Sequence, residues 1–496
     1  MTSQSVVRQQ LYSYRYYISI AAAVSLVCQQ IYRRVFRVPR ELRHIPAVPF
    51  WRLMVSMFKE EHLTERTNKL IYPLLPKANG IYINRIPVDW TIYVASPVLA
   101  KSVLYKPGRV NILTVNGEQW KEQRKIMNPA FHRSMPVGIF GSLLPKAFSF
   151  IDEAESKKDH IILVKLTQRL TLESLGKAVF DFEFGALDKE DSEWLIVFNQ
   201  VLEAFVEDIN FFFPQVNALL RWMSRSRREK YNAVHKFVNL LDRMIEQKRY
   251  ALINKKEPDN ITDNEKDLLR LMLEAELRGE GTFTTEELRH NMGFFFLAGH
   301  DSISNALALA IYNMAINRDI QTKAREEIIG ILGDKHDDVL PTIEECKRLP
   351  YLDMIIKETL RIYPAVTDLL ARTPANDVNL GGVLIPKGSM ISIDVHALHH
   401  HPDLWKSPEQ FIPERFAEGG EYSKHEGVSW LPFGNGSRQC IGINFTMMEL
   451  RVALAMFLRK YEWELPTESP HLNGLVFDQI FNLAPSNMEM KFNRRY

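Results

Sequence analysis

Cys440 stands in the string FGNGSRQCIG, Phe433 to Gly442, where Gly434, Gly436 and Gly442 permit a tight loop. A helical apolar period, Ile443 to Leu458, follows directly, so the sulfur is expected at a helix N-terminus. Aligned peptide dipoles and free backbone N–H groups favour an anion there, and Arg438 adds positive charge. The thiol is thereby predisposed to become a thiolate and a metal ligand. A lone cysteine so placed is equally compatible with a nucleophile or an inert buried thiol. Only Cys28 and Cys346 accompany it, an odd and sparse set that excludes a disulfide framework and points to a reducing compartment. Cys346 reads as a plain thiol.

Most of the chain that must position this loop is helical in period: Gln168 to Phe180, Asp191 to Phe205, Ser226 to Tyr250, and about Thr285 to Asn317. The last is opened by the capping box Thr284-x-x-Glu287 and would be about 50 Å long at 1.5 Å per residue. Its centre is apolar nearly all round, so it must cross the middle of the domain and is the first candidate wall of an active site. Gly80 to Pro97 and Val378 to Val395 read as hairpins, and His396 to Gly436 as a Pro-containing irregular stretch. Ile253 to Asp267 reads as a surface loop, and no internal repeat is visible.

The chain has 496 residues, 46% of them hydrophobic and 25% charged, enough to bury a core large enough for a cofactor. Sixty-two Lys+Arg against 60 Asp+Glu give a net charge of +2, too small to make nucleic acid the main partner. Near the N-terminus, residues 16–32 (YYISIAAAVSLVCQQIY) reach the lower length limit of a transmembrane anchor. Arg33, Arg34, Arg37, Arg40 and Arg43 follow, against Arg8 and Arg15 before, so residues 1–15 are expected on the lumenal side and the large domain in the cytosol. A cleaved signal peptide or an interfacial helix is the alternative. Residues 33–50, with Pro39, Pro46 and Pro49, read as a stiff connector to a catalytic domain over 51–496.

The string around Cys440 resembles the haem-binding loop of the cytochrome P450 superfamily, through Phe433, Gly436, Arg438, Cys440 and Gly442. Glu358-Thr-Leu-Arg361 is similar to the family's Glu-x-x-Arg element, Pro413-Glu-Arg415-Phe416 to a further motif, Ala298-Gly299-His300-Asp301-Ser302 to its central-helix motif, and Trp120-Lys-Glu-Gln-Arg124 to an early helix. The likeness runs from about residue 40 to the end and is nearest to eukaryotic microsomal members, fungal ones among them. It implies a mainly α fold with small β-sheets, with haem b held between the long helix and the cysteine loop.

On that resemblance Cys440 is the iron ligand, and Trp120, Arg124, Arg372 and Arg438 occupy donor positions for the haem propionates, beside Phe433 and Gly442 of the loop. Glu358, Arg361 and Arg415 form a structural charged triad. Gly299 would let backbone approach the haem face, Asp301 would relay protons, and Ser302 would hydrogen-bond the reacting dioxygen and its water. The family usually has threonine at Ser302, whose methyl helps to fix the rotamer; a serine back-bonded to the preceding turn is the bland reading.

Substrate contacts are expected from Asn111 to Gly117, Phe211 to Phe213, Phe294 to Ala298, Ala365 to Leu370 and Phe481 to Ala484, mostly apolar. Asp368 is an unusual acid among them, expected to meet a polar substrate group or, somewhat better, to turn away into a salt bridge. His396, His399, His400 and His401 lack the spacing of a metal site. The glycosylation patterns at Asn260 and Asn435 have no use in a cytosolic domain.

The resemblance implies a monooxygenase of the endoplasmic reticulum membrane, acting on a steroid, terpenoid or fatty acid. Electrons would come from NADPH through cytochrome P450 reductase, with cytochrome b5 as a further donor, and Lys121, Lys125 and Arg133 would meet the acidic donor. A lipid hydroperoxide isomerase or lyase needing no reductase, and a haem- or sterol-binding carrier, are the competing functions; the Asp301–Ser302 pair speaks against the isomerase.

Overall fold

The computed structural model describes residues 17–496 except 27–28, 31, 33–36, 60, 86–88, 106–116, 133–135, 189–191, 207–223, 255–265, 280–283, 477–484 and 486. Five helices position the site: α1 (Gly117–His132), α2 (Leu163–Leu175), α3 (Thr285–Ile316), α4 (Pro350–Ile362) and α5 (Ile443–Lys460). The strands are β1 (Ile81–Arg85), β2 (Trp90–Val94), β3 (Ile161–Ile162), β4 (Val378–Leu380), β5 (Val383–Ile385), β6 (Met390–Ile393), β7 (Tyr461–Glu464) and β8 (Glu489–Arg494). The fold is mainly helical with small sheets, as its sequence periods predict.

The central helix α3 begins where its capping box does. Thr284 Oγ1 accepts from the Glu287 N–H at 3.2 Å, and the Glu287 carboxylate accepts from the Thr284 N–H at 2.9 Å. From Ile303 to Ala315 every residue is buried, so this part of the helix runs through the core. Helix α2 packs beside it, joined by Thr167 Oγ1 to Ser304 Oγ at 3.0 Å and by Thr171 Oγ1 donating to the His300 carbonyl at 3.3 Å. A Cβ on Gly299 would stand 2.8 Å from Leu175 Cδ1, so the close approach this glycine permits is that of α2.

The Gly80 to Pro97 hairpin forms as β1 and β2, paired antiparallel from Ile81 with Val94 to Arg85 with Trp90. The second expected hairpin divides: β4 pairs with β5, whereas β6 leaves to pair parallel with β2. Ile391 and Ile393 explain the departure, because they are buried in the cluster that includes Ile83, Ile92 and Val94. The expected connector is also partly docked. Val48 N–H donates to Ile83 O, Ile83 N–H donates to Pro46 O, both at 2.8 Å, and Leu42, Ile45 and Val48 are buried. Apolar side chains between the prolines turn a spacer into an edge of the sheet.

Helix α5 carries an acid into the core. Glu449 is 4% exposed, and among the described residues no charged or backbone group compensates its carboxylate, with only the Ser174 hydroxyl nearby. Burial pushes its pKa up from 4.5 to about 8, against a small opposing effect of Ser174. The folded chain therefore keeps this proton where the unfolded chain has lost it, so stability falls as pH rises from about 4.5 to about 8. Glu449→Gln should add about 3 kcal/mol at pH 7 and flatten that decline, read by urea unfolding across the range; an unchanged pH slope would contradict the assignment.

Candidate active site at the cysteine loop

Helix α4 supplies the fixed point for the loop. Arg361 grips Glu358 with two bonds, Nε to Oε2 at 2.7 Å and Nη2 to Oε1 at 2.9 Å, and both side chains are fully buried. Arg415 donates to the same Oε1 at 3.2 Å and to Glu421, and the Ile412 N–H donates to it at 3.0 Å. Spare guanidinium hydrogens go to carbonyls: Arg361 to His399 and Pro408, both at 2.7 Å, and Arg415 to Ser407 at 2.8 Å. The expected triad is assembled, and Glu421 is a fourth member that the sequence did not disclose.

Two side chains carry this rigidity to the cysteine loop. His399 Nε2 accepts from the Leu431 N–H at 2.8 Å, which makes Nδ1 the donor to the Arg361 carbonyl at 3.0 Å. Trp430 Nε1 donates to the Lys357 carbonyl at 3.1 Å. The loop closes by Cys440 N–H to Phe433 O at 2.9 Å and Gly434 N–H to Leu431 O at 3.1 Å. Gly434 and Gly436 have φ of +63° and +74°, and a Cβ on Gly436 would lie 2.9 Å from the Leu104 carbonyl oxygen. Gly442 has an ordinary φ of −90°; a Cβ there would sit 3.9 Å from Cys440 Sγ and 4.0 Å from Phe131, so its bareness leaves room beside the sulfur.

Cys440 lies two residues ahead of Gly442, the N-cap of α5, close to the expected helix terminus. Its pKa is nevertheless raised: burial outweighs the Gly442 N–H and the Arg124 charge. The expected predisposition to thiolate is thus corrected, because water exclusion penalises the anion more than the helix end and Arg124 stabilise it. The side chain is still accessible. The sulfur is thus accessible yet desolvated, and a cation bound to it would favour the thiolate.

Cations gather at the same place. Arg438 stacks over the Trp120 ring at 4.1 Å, Arg124 Nη2 donates to the Gln439 carbonyl at 3.1 Å, and Arg372 Nη1 donates to the Val103 and Leu104 carbonyls at 2.9 and 2.8 Å. Burial, then repulsion from Arg372 and Arg124, lowers the pKa of Arg438 to about 10. Three guanidiniums held against their mutual repulsion suit a dianionic group. The accessible sulfur, the bare Gly442 and this cluster together fit a haem with its two propionates.

On α3, Ala298 is accessible although its helix is a core element, and Phe294 is half-buried. Ser302 Oγ donates to the Ala298 carbonyl at 2.6 Å, the back-bonded geometry. Burial raises the Asp301 pKa, opposed by hydrogen bonds from Gln168 and Asn305, the latter at 3.3 Å. His300 points away from this face, with Nε2 on the Gln168 carbonyl at 3.0 Å and its ring edge-on to Phe198.

Asp368 corrects an expectation. Its carboxylate is accessible, accepts from Thr367 Oγ1 at 3.0 Å, and makes no salt bridge among the described residues. The loop 111–116, Phe211 to Phe213, Phe481 to Ala484, Arg133 and Asn260 lie outside the described residues. The His396 and His400 rings lie 4.1 Å apart, tilted by 31°, in the core, where burial pushes their pKa values far down. Cys346 is buried, and burial pushes its thiol pKa up to about 11.

Such a fold around such a loop defines a haem-thiolate protein. The family model described as Cytochrome P450 matches residues 88–492, and the chain belongs to that family: it is a cytochrome P450 monooxygenase whose cofactor is haem b. Among its relatives, the taurochenodeoxycholic 6 alpha-hydroxylase of Sus scrofa is 28% identical over 74% of this chain and 72% of that one. Cytochrome P450 4A7 of Oryctolagus cuniculus is 29% identical over 71% and 68%. The crystal structure of the cytochrome P450DA heme domain is similar at a TM-score of 0.71, with 22% identity, over 91% of this chain and 97% of that one.

Removing one partner from the buried pair leaves an uncompensated charge. Arg361→Met is expected to cost about 3–5 kcal/mol in denaturant unfolding and to lower the fraction of purified protein that holds haem; a cost below about 1 kcal/mol would show that the cluster does not anchor the loop.

Proposed function

We propose that the chain is a membrane-anchored monooxygenase that hydroxylates a lipophilic substrate, such as a steroid, terpenoid or fatty acid, with electrons from NADPH through cytochrome P450 reductase, cytochrome b5 being a further donor. The observation that carries the reading is Cys440, an accessible but desolvated thiol beside Arg124, which is itself clustered with Arg372 and Arg438. In this reading Cys440 would ligate the iron, Trp120, Arg124, Arg372 and Arg438 would hold the propionates, and Phe433 and Gly442 would belong to the same cofactor-binding loop. Bound there, thiolate-ligated haem supplies activation of dioxygen and insertion of one oxygen atom into a C–H bond.

The chain's own residues deliver protons and exclude water. Asp301, its proton affinity raised by burial, takes protons from solvent and passes them on. Ser302 donates to Ala298, which leaves its oxygen lone pairs to accept from a water in the cavity. Gly299 acts here through packing, by keeping α2 against α3.

Membrane attachment through residues 16–32, with 1–15 lumenal, 33–50 connecting and 51–496 catalytic, is part of the same reading, as is a single pass in the endoplasmic reticulum. It is supported by the apolar helix Tyr17–Leu26, whose Tyr17, Ile18 and Leu26 side chains are more than 60% exposed, and by the arginines that follow. Helix α3 is also long and apolar enough to span a bilayer, but 67% of its most apolar window is buried in the protein. Exposed Lys121 and Lys125 on α1 offer charge to an acidic electron donor.

Ser302→Ala should lower product formed per NADPH about tenfold or more and raise peroxide correspondingly, while Ser302→Thr preserves coupling. Product, NADPH and peroxide measured in one reconstituted reaction check this; unchanged coupling in the alanine variant would remove Ser302 from proton delivery.

A further inference from the structure

A polar seam runs between α2 and α3 through an otherwise apolar core. Thr167 Oγ1 and Ser304 Oγ are hydrogen-bonded at 3.0 Å, and Thr171 Oγ1 donates to the His300 carbonyl at 3.3 Å. The Gln168 carbonyl accepts from His300 Nε2 at 3.0 Å, which fixes the tautomer because a carbonyl has no hydrogen to give. With Gly299 bare against Leu175, these contacts set the register of the two helices. In that register the Gln168 side chain hydrogen-bonds the Asp301 carboxylate, one residue past the His300 ring that its own backbone holds. Asn305, 7% exposed and one turn further along α3, donates Nδ2 to Asp301 Oδ2 at 3.3 Å.

The charged groups of the surrounding elements turn elsewhere. On α2, Lys165 is exposed, Arg169 Nε donates to the Ala186 carbonyl at 2.7 Å, and Glu173 accepts from the Ala186 N–H at 2.7 Å. Asp242, on the helix Arg225–Ile253, takes Arg289 of α3 at 2.6 Å; Glu358 of α4 takes Arg361; Glu449 of α5 has Ser174 beside it. Burial keeps His300 neutral. Among the described residues none of these groups bears on Asp301: burial raises its proton affinity, and the two amides oppose that. The kind of donor matters. A cation would hold the carboxylate ionised and an apolar shell would keep the acid protonated, whereas a neutral amide binds the carboxylate more weakly than a cation does and lets the proton come and go.

We propose that Gln168, together with Asn305, positions Asp301: the two amides aim its carboxyl and leave it able to give up and regain a proton. The inference rests on the reading of Asp301 as the proton-delivering acid and adds to it a residue from a separate helix. Gln168 is a positioning residue, acting through Asp301.

The test compares full-length wild-type holoprotein with Gln168→Leu, Gln168→Arg and Asn305→Leu, each first checked for the carbon monoxide spectrum of the wild type. Two readouts are taken. The infrared C=O band of protonated Asp301, identified by its absence from Asp301→Asn, is titrated against pH without turnover, and product formed per NADPH is followed across the same range. Gln168→Leu and Asn305→Leu remove a donor to the carboxylate and should move both the band titration and the alkaline limb of product formation to higher pH. Gln168→Arg supplies a cation and should move both to lower pH, a change of sign that a merely structural role would not give. In the Asp301→Asn background, Gln168→Leu should leave the pH profile where it is. A band titration unmoved in both Gln168 variants, or the same response to Gln168→Leu in the Asp301→Asn background, would overturn the proposal. Band shifts in the expected directions beside a pH profile indifferent to Asp301→Asn would uphold the positioning and defeat the proton-delivery reading.

Discussion

Glu358 cannot stand alone in the core, and the ways in which it is compensated tie together segments far apart in the chain. Its two oxygens take Arg361 from the next turn of α4, Arg415 from fifty-seven residues on, and the backbone of Ile412. Each guanidinium then reaches on to carbonyls of the irregular region, so a single buried charge orders a stretch that has little regular structure of its own. His399 and Trp430 transmit that order to Leu431 and its neighbour, at the entrance to the cysteine loop.

Two opposed shifts meet at the loop. Desolvation raises the Cys440 thiol pKa, and crowding of Arg124, Arg372 and Arg438 lowers the pKa of the last. A metal cation at the sulfur relieves the first and a pair of carboxylates among the guanidiniums relieves the second, so one iron porphyrin with two propionates satisfies both. Stability is given up at the arginines, whose charges are held together and partly desolvated, whereas the Cys440 thiol, its pKa raised, stays neutral without that cost.

The glycines and caps were legible because each answers a local demand. Positive φ at Gly434 and Gly436, and the Thr284–Glu287 capping box, are encoded within a few residues of where they act. The long helix and the first hairpin were legible from period alone. The triad was reached only by resemblance, and Glu421 and His399 not at all, because their partners lie on other segments and leave no pattern in the chain. Gly299 stands beside Asp301 in sequence yet serves Leu175 of another helix. Docking of residues 42–48 on β1, and the departure of β6 to join β2, likewise depend on which apolar surface is free in three dimensions. The helix-end cue at Cys440 gave the position of the sulfur but not the sign of its shift, since burial is not written in local sequence.

The central claim is that Cys440 holds haem iron through its sulfur, and the ferrous carbon monoxide spectrum of the purified full-length chain tests it most directly. The wild type should show the strongly red-shifted Soret band of carbon monoxide bound to thiolate-ligated haem, and Cys440→Ser should lose that band. Retention of the band in Cys440→Ser, or its absence from haem-loaded wild type, would contradict the assignment of the sulfur as ligand.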